Sequence, residues 1–297
     1  MRQHLGSSAY QVTKALQGVY TPGESRCEGK ATGAADGHIY SRGTMQTYVE
    51  SATRFAEWVR ARYGVKDIRQ ITPEHGQAYL ADLASRERSG GYIGKEKSAI
   101  GKISVALHGE RWDLGPGWHS DRRPERVYTP AQAQAIIAAL RAHARDPQLA
   151  DVAMLQTIAG LRREEAARLR GQDIDVPQCT VSPDKGTKGG RPRTVQVARQ
   201  HQGYLQALQE RADRHRDGFV FQGRASLAAR AERAVDEACA RLGFADQGTH
   251  GFRRAFAQER HEEYQGEGLS DRQARQRVAR DLGHGRVEVT LAYVPRQ

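Results

Sequence analysis

At 297 residues the chain can form one large domain or two of ordinary size. Hydrophobic residues make up 38% and charged residues 27%, enough apolar side chain for a buried core, which excludes a chain disordered throughout. Lys and Arg outnumber Asp and Glu by 46 to 35, and the excess is spread along the chain: residues 1–128 carry 19 basic and 14 acidic side chains, residues 129–297 carry 27 and 21. A polyanion gripped by both halves would account for this, and so would an ordinary solvated basic surface.

The three cysteines, Cys27, Cys179 and Cys239, are far apart, odd in number and in no CxxC pair. They suit a reducing cytosol and argue against a disulfide framework or a zinc site. The opening residues lack the apolar run of a signal peptide, and no stretch approaches the ~18 apolar residues of a membrane span.

In chain order, "SSAYQVTKALQGVY" reads as a short amphipathic helix, and the Gly-rich polar "TPGESRCEGKATGAADGH" after it as a loop. Over residues 41–63, Tyr48, Ala52, Phe55, Val59 and Tyr63 recur at three- and four-residue steps, the stripe of a helix. Thr72 and Pro73 are the N-cap and first-turn residues of the next helix. A third is expected around residues 92–107, completing a small all-α module. "HGERWDLGPGWHSDRRPERVY" breaks the period and reads as a linker. Thr129 and Gln132, with Pro130 between them, form a capping-box pattern that opens helices running to about residue 170. "CTVS" and "RTVQV", either side of a Gly/Lys/Arg-rich turn, read as a β-hairpin. The chain after about 203 reads as helical.

Four short pieces carry reactive side chains. "AGLRREEAARLRGQDID" puts Arg162 and Glu165 three apart on one side of a helix. "KGTKGGRPRTVQV" puts Lys188 in the hairpin turn, with Lys185 nearby. "HGFRRAF" puts His250 and Arg253 on one face of a helix start, and "LGHGRVEVTLAYV" puts His284 nine residues before Tyr293. Alone, each is ordinary: a surface ion pair, a turn lysine, a capping histidine, a core tyrosine.

Arg, Lys, His-x-x-Arg, His and Tyr, in that order, resemble the catalytic domain of the tyrosine recombinases, the phage-integrase family. The four pieces look like that family's first arginine box, lysine hairpin, His-x-x-Arg box and second-histidine and tyrosine box. The helices of residues 41–107 are similar to its core-binding domain. The resemblance covers roughly residues 41–297. It implies a mainly α fold with a small β-sheet or hairpin: a helical core-binding domain plus a mixed α/β catalytic domain. The division expected is an N-terminal arm at 1–38, in part disordered, a helical DNA-clamping domain at 39–112, a linker at 113–128 and the catalytic domain at 129–297.

The residue types suit the chemistry that the resemblance implies. Arg162 and Arg253 would each bond non-bridging phosphate oxygens, and His250 and His284 would add donors where charge grows in the transition state. Tyr293 would be the nucleophile, leaving a 3′-phosphotyrosine and a free 5′-hydroxyl. That leaving oxygen needs a proton, from Lys188 by hairpin register or else from Lys185. Glu165 would hold the basic residues in place. Arg254, beside Arg253, lies outside the catalytic set. No cofactor and no metal is implied. The partner is double-stranded DNA, with the two domains on opposite faces of the duplex. A homotetramer on paired sites is expected, monomeric off DNA, in the cytoplasm at the bacterial nucleoid with no membrane contact. The function expected is integration or excision of a bacterial mobile element. The alternatives are a type IB-like topoisomerase and a catalytically silent DNA-binding regulator of the same fold.

Overall fold

A computed structural model describes residues 6–24, 37–117, 127–184, 193–284 and 287–294. The chain divides into two compact units, Met1–Arg123 and Pro124–Gln297.

The first unit is helical: α1 (Ser8–Gln17), α2 (Arg42–Tyr63), α3 (Pro73–Ser85) and α4 (Gly90–His108). Helix α2 starts where Ser41 Oγ accepts the Thr44 N–H, and ends at Gly64 with φ 72°. Its stripe buries Ala52, Phe55, Ala56 and Val59, whereas Tyr63, at the end of the predicted stripe, is exposed. Before α3, His75 Nδ1 accepts the Thr72 backbone N–H at 3.0 Å.

The expectation of a separate arm at residues 1–38 is corrected for its described part. Val12 and Leu16 of α1 are buried in one cluster with Phe55, Val59 and Ile100. Gln11 ties the helix down, donating to the Lys66 carbonyl and accepting from the Ile68 N–H, both at 3.1 Å. An amphipathic helix that short has little stability alone and gains it by burying its stripe. The expected linker also narrows: Leu114 is buried in the first unit's core and Tyr128 in the second's.

The second unit contains α5 (Pro130–His143), α6 (Gln148–Ala159), α7 (Arg163–Ala167), the strands β1 (Ile174–Asp175), β2 (Thr180–Val181) and β3 (Val195–Gln196), then α8 (Gln202–Asp213), α9 (Arg224–Leu242), α10 (His250–Gly266), α11 (Asp271–Asp281) and α12 (Val287–Thr290). Thr129 and Gln132 cap α5 reciprocally, at 3.0 and 3.2 Å. Helix α6 is buried on nearly every side, the mark of a central helix. The three strands form one antiparallel sheet in the order β1-β2-β3, with Thr180 opposite Gln196 and Val181 opposite Val195. The fold is thus mainly α with a small antiparallel sheet, and among the described residues no helix is long and apolar enough to cross a membrane.

Candidate active site

The reactive side chains of the second unit meet where α6 turns into α7. Gly160 ends α6 with φ 55°, a conformation that costs glycine nothing. A Cβ there would also lie 2.4 Å from the Phe256 ring. The turn leaves Arg162 at the N-cap of α7, in extended backbone, not inside a helix as the spacing suggests. Glu165, in the first turn of α7, reaches back: one carboxylate oxygen accepts the Arg162 backbone N–H at 2.7 Å, the other accepts Arg162 Nη1 at 2.6 Å.

Glu165 is fully buried, and a buried carboxylate needs partners. Its second partner is Arg193, two residues before β3. Arg193 Nη1 donates to Glu165 Oε1 at 3.0 Å, and Nη2 donates to Oε2. Burial alone would raise the Glu165 pKa. The hydrogen bonds and charge of Arg193, then of Arg162, outweigh it and hold the carboxyl at about 2.

Arg253 follows one turn into α10 and has no exposed surface. It donates through Nη1 to the Gly160 carbonyl and through Nη2 to the Leu282 carbonyl at 2.5 Å. Its Nε has no partner, and Nη1 lies 4.0 Å from Glu165 Oε2. Burial, followed by the repulsion of Arg162, lowers this guanidinium to about 10, so it stays charged at neutral pH.

Tyr293 follows α12, its N–H bonded to the Thr290 carbonyl at 2.9 Å, and is 9% exposed. His250 Nε2 lies 2.5 Å from the Tyr293 hydroxyl. The His284 ring packs 4.8 Å from the tyrosine ring centroid, with Nδ1 3.0 Å from Thr290 Oγ1. The guanidiniums of Arg254 and Arg253 stand 5.7 and 6.0 Å from the same centroid. Enclosure by protein, even though one side of His250 is exposed, and then the charge of Arg253, Arg254 and Arg162 push His250 down to about 4. Burial, then Arg253, Arg162 and Arg193, push His284 down to about 3. Both imidazoles are therefore neutral at pH 7. A neutral His250 can accept the Tyr293 O–H at Nε2 when its own hydrogen is on Nδ1.

Six residues singled out in the sequence, Arg162, Glu165, His250, Arg253, His284 and Tyr293, thus share one site. Lys185 and Lys188 lie outside the described residues, between β2 and β3. Three neighbours escaped the sequence reading. Arg193 is one: Arg193, Val195 and Val197 alternate inward through β3 and the residues beside it, a run too short to stand out in the sequence. Arg254, set aside as outside the catalytic set, stands against the tyrosine ring. Glu232 of α9 takes Arg163 Nη1 at 2.5 Å and Thr249 Oγ1 at 2.7 Å, linking the residues beside Arg162 and His250.

Comparison with known proteins agrees with this arrangement. An integrase family model matches residues 125–259. No curated protein matches the sequence. The structure is similar to the XerH site-specific recombinase bound to a palindromic difH substrate in a post-cleavage complex, with a TM-score of 0.66 and 13% identity over 96% of this chain and 90% of that one. It is similar to the Tn1549 transposon integrase in complex with transposon right end DNA, at a TM-score of 0.63 and 15% identity over 92% and 96%. A lambda integrase dimer bound to a COC′ core site gives 0.62 and 12% over 96% and 78%. The fold is that of the tyrosine recombinases. Residues 125–259 of the second unit are similar to the integrase family.

Proposed function

We propose that this chain is a site-specific DNA recombinase that cuts and rejoins duplex DNA through a 3′-phosphotyrosine at Tyr293. The observation that carries the reading is the convergence on one phenol: a neutral histidine 2.5 Å from its oxygen, a second imidazole against its ring, and Arg253 and Arg254 within 6.0 Å of its centroid. Attack by the phenol oxygen on phosphorus forms one P–O bond and breaks the bond to the 5′-oxygen. His250 takes the phenol proton as the new bond forms. The non-bridging oxygens gain charge on the way, and Arg162 and Arg253 meet it. Arg253 has five N–H donors, of which two bond carbonyls, so about three remain for phosphate. The leaving 5′-oxygen takes its proton from Lys188, with Lys185 the alternative. The phosphotyrosine conserves the ester, so a second 5′-hydroxyl can reverse the step on another strand.

The wider setting is part of the same proposal: integration or excision of a bacterial mobile element, by four copies on paired sites, in the cytoplasm at the nucleoid. The likeness to a transposon integrase bound to transposon end DNA supports it.

Tyr293→Phe keeps the ring and removes the nucleophile. Wild type should be trapped covalently on bacterial DNA fragments, and sequencing the trapped DNA identifies the site. The variant should bind that site and form no adduct. An adduct from Tyr293→Phe would assign the nucleophile elsewhere. Lys188 is tested by replacing the bridging 5′-oxygen with sulfur, which leaves without a proton. Lys188→Ala should be inactive on the normal strand and largely restored on the sulfur-bridged one, while Arg162→Ala should not be restored. Rescue of Lys185→Ala instead would move the role to that lysine. Relaxation of plasmids lacking the site would favour a topoisomerase.

A further inference from the structure

Arg193 takes no part in the steps above, yet it is almost completely enclosed at the centre of the site. Counting acceptors on Glu165 shows what it does there. A carboxylate offers about four lone-pair positions. Oε1 is filled by Arg162 Nη1 and Arg193 Nη1, and Oε2 by the Arg162 backbone N–H and Arg193 Nη2. Arg253 Nη1 stands 4.0 Å from Oε2, beyond hydrogen-bond reach, and is held off by the Gly160 and Leu282 carbonyls. If Arg193 were removed, two acceptor positions of a buried anion would open, and Arg253 is a cation already poised to fill them.

The rest of the Arg193 side chain points the same way. Its Nε donates to the Asp281 carbonyl at 2.9 Å. Gly283 has φ 64°, and a Cβ there would lie 2.9 Å from Arg193 Cδ. The glycine lets the arginine pass against the turn that leads into His284. One side chain therefore joins the base of β3, the Arg162–Glu165 turn and the segment before His284.

Resting on the recombinase reading, we propose that Arg193 is a positioning residue that fills the acceptor positions of Glu165 left open by Arg162, so that Arg253 keeps its charge and free donors for the scissile phosphate. It touches no DNA in this role. Its effect is electrostatic: three arginines surround one carboxylate, and the fixed pairing of Arg193 and Arg162 keeps Arg253 out of it.

Single-turnover cleavage of the site recovered from the covalent complex tests this. Arg193→Gln should cleave about 100-fold more slowly, with site binding changed less than about threefold. Arg193→Lys, which keeps the charge, should recover at least about tenfold of that loss. The decisive protein is Glu165→Gln combined with Arg193→Gln. Removing the carboxylate leaves nothing to capture Arg253, and two carboxamides can bond each other, so the double variant should cleave at least about tenfold faster than Arg193→Gln. Because it removes one cation and one anion together and so leaves the net charge of the site unchanged, it also keeps the test valid if Arg193→Gln alone fails to fold; it should then fold and cleave. A double variant as slow as Arg193→Gln, or slower, would reduce Arg193 to a packing element and overturn the proposal alone. A wild-type protein without a Tyr293-dependent adduct would overturn the recombinase reading, and this proposal with it.

Discussion

Among the described residues each unit buries one glutamate completely, and the two are solved differently. In the helical unit Glu96 accepts Ser51 Oγ at 2.9 Å, Arg54 Nη2 at 2.6 Å and the Tyr79 hydroxyl at 3.1 Å. Its cations, Arg54 and Lys95, keep 42% and 40% of their side chains in water. In the second unit Glu165 stands among Arg162, Arg193 and Arg253, whose side chains are 21%, 4% and 0% exposed. The first arrangement closes on itself, with hydroxyls completing the shell and solvent carrying the surplus charge. The second leaves positive charge enclosed with too few anions. Stability alone does not favour such a cluster, because desolvating cations is expensive. A cluster of that kind is explained by an anion that arrives later, which is the role proposed for phosphate.

The sharpest way to break this contrast is to remove the arginines one at a time. Arg162→Ala and Arg253→Ala should each slow single-turnover cleavage by about 10²–10³, with far smaller changes in site affinity, because their charge matters most when the phosphorus is five-coordinate. Arg54→Ala should leave cleavage at saturating protein unchanged. Equal losses of rate and affinity for the first two would make them plain phosphate anchors.

Removing the carboxylates gives the next effect. Glu165→Gln strands buried cations and should cost about 3–5 kcal/mol by denaturant unfolding. Glu96→Gln should cost about 1–3 kcal/mol, since Arg54 can turn to water. Sulfate or DNA should return much of the first loss and none of the second. Anion-independent behaviour of both variants would dissolve the distinction.

The smallest effect is in the histidines. With folded values of about 4 for His250 and about 3 for His284, both lie below the ordinary ~6.5 of an unfolded chain. The sign follows: the fold carries no penalty from them above that ordinary value, and stability falls as pH drops toward 4, where the unfolded chain takes up protons first. Imidazole shifts by NMR should show both rings neutral at pH 5 in the free protein. Bound DNA should raise both values, because phosphate offsets the arginines. Titration of either ring near 6.5 without DNA would contradict the enclosure described here.

Much of this was legible in the sequence, for a physical reason. Caps and stripes act over three or four residues, so Thr72, Thr129 and Gln132 mark helix starts locally. The four reactive segments, each ordinary alone, were visible through their joint resemblance to the tyrosine recombinases. What escaped depends on long-range packing. The partners of Arg193 lie 28 and 88 residues away, and β3 is too short for its alternation to stand out. Helix α1 was placed in an arm because nothing in its own ten residues says that Phe55 and Ile100 wait for Val12 and Leu16. Arg162 was assigned to a helix interior because the spacing to Glu165 is the same for an N-cap.

Helix α6 ends in Gly160, and the carbonyl of that glycine receives Arg253. Backbone carbonyls at a helix C-terminus carry the negative end of its dipole, so this largely buried helix aims its polarity at the guanidinium. The position of that guanidinium is therefore inherited from apolar contacts up to three turns away. Truncating Leu155 to alanine would touch none of the reactive groups. A shift of the helix by a fraction of an ångström would still carry the carbonyl with it, making recombination temperature-sensitive well before the protein unfolds. A screen for conditional alleles should collect them along α6, among residues with no chemistry of their own.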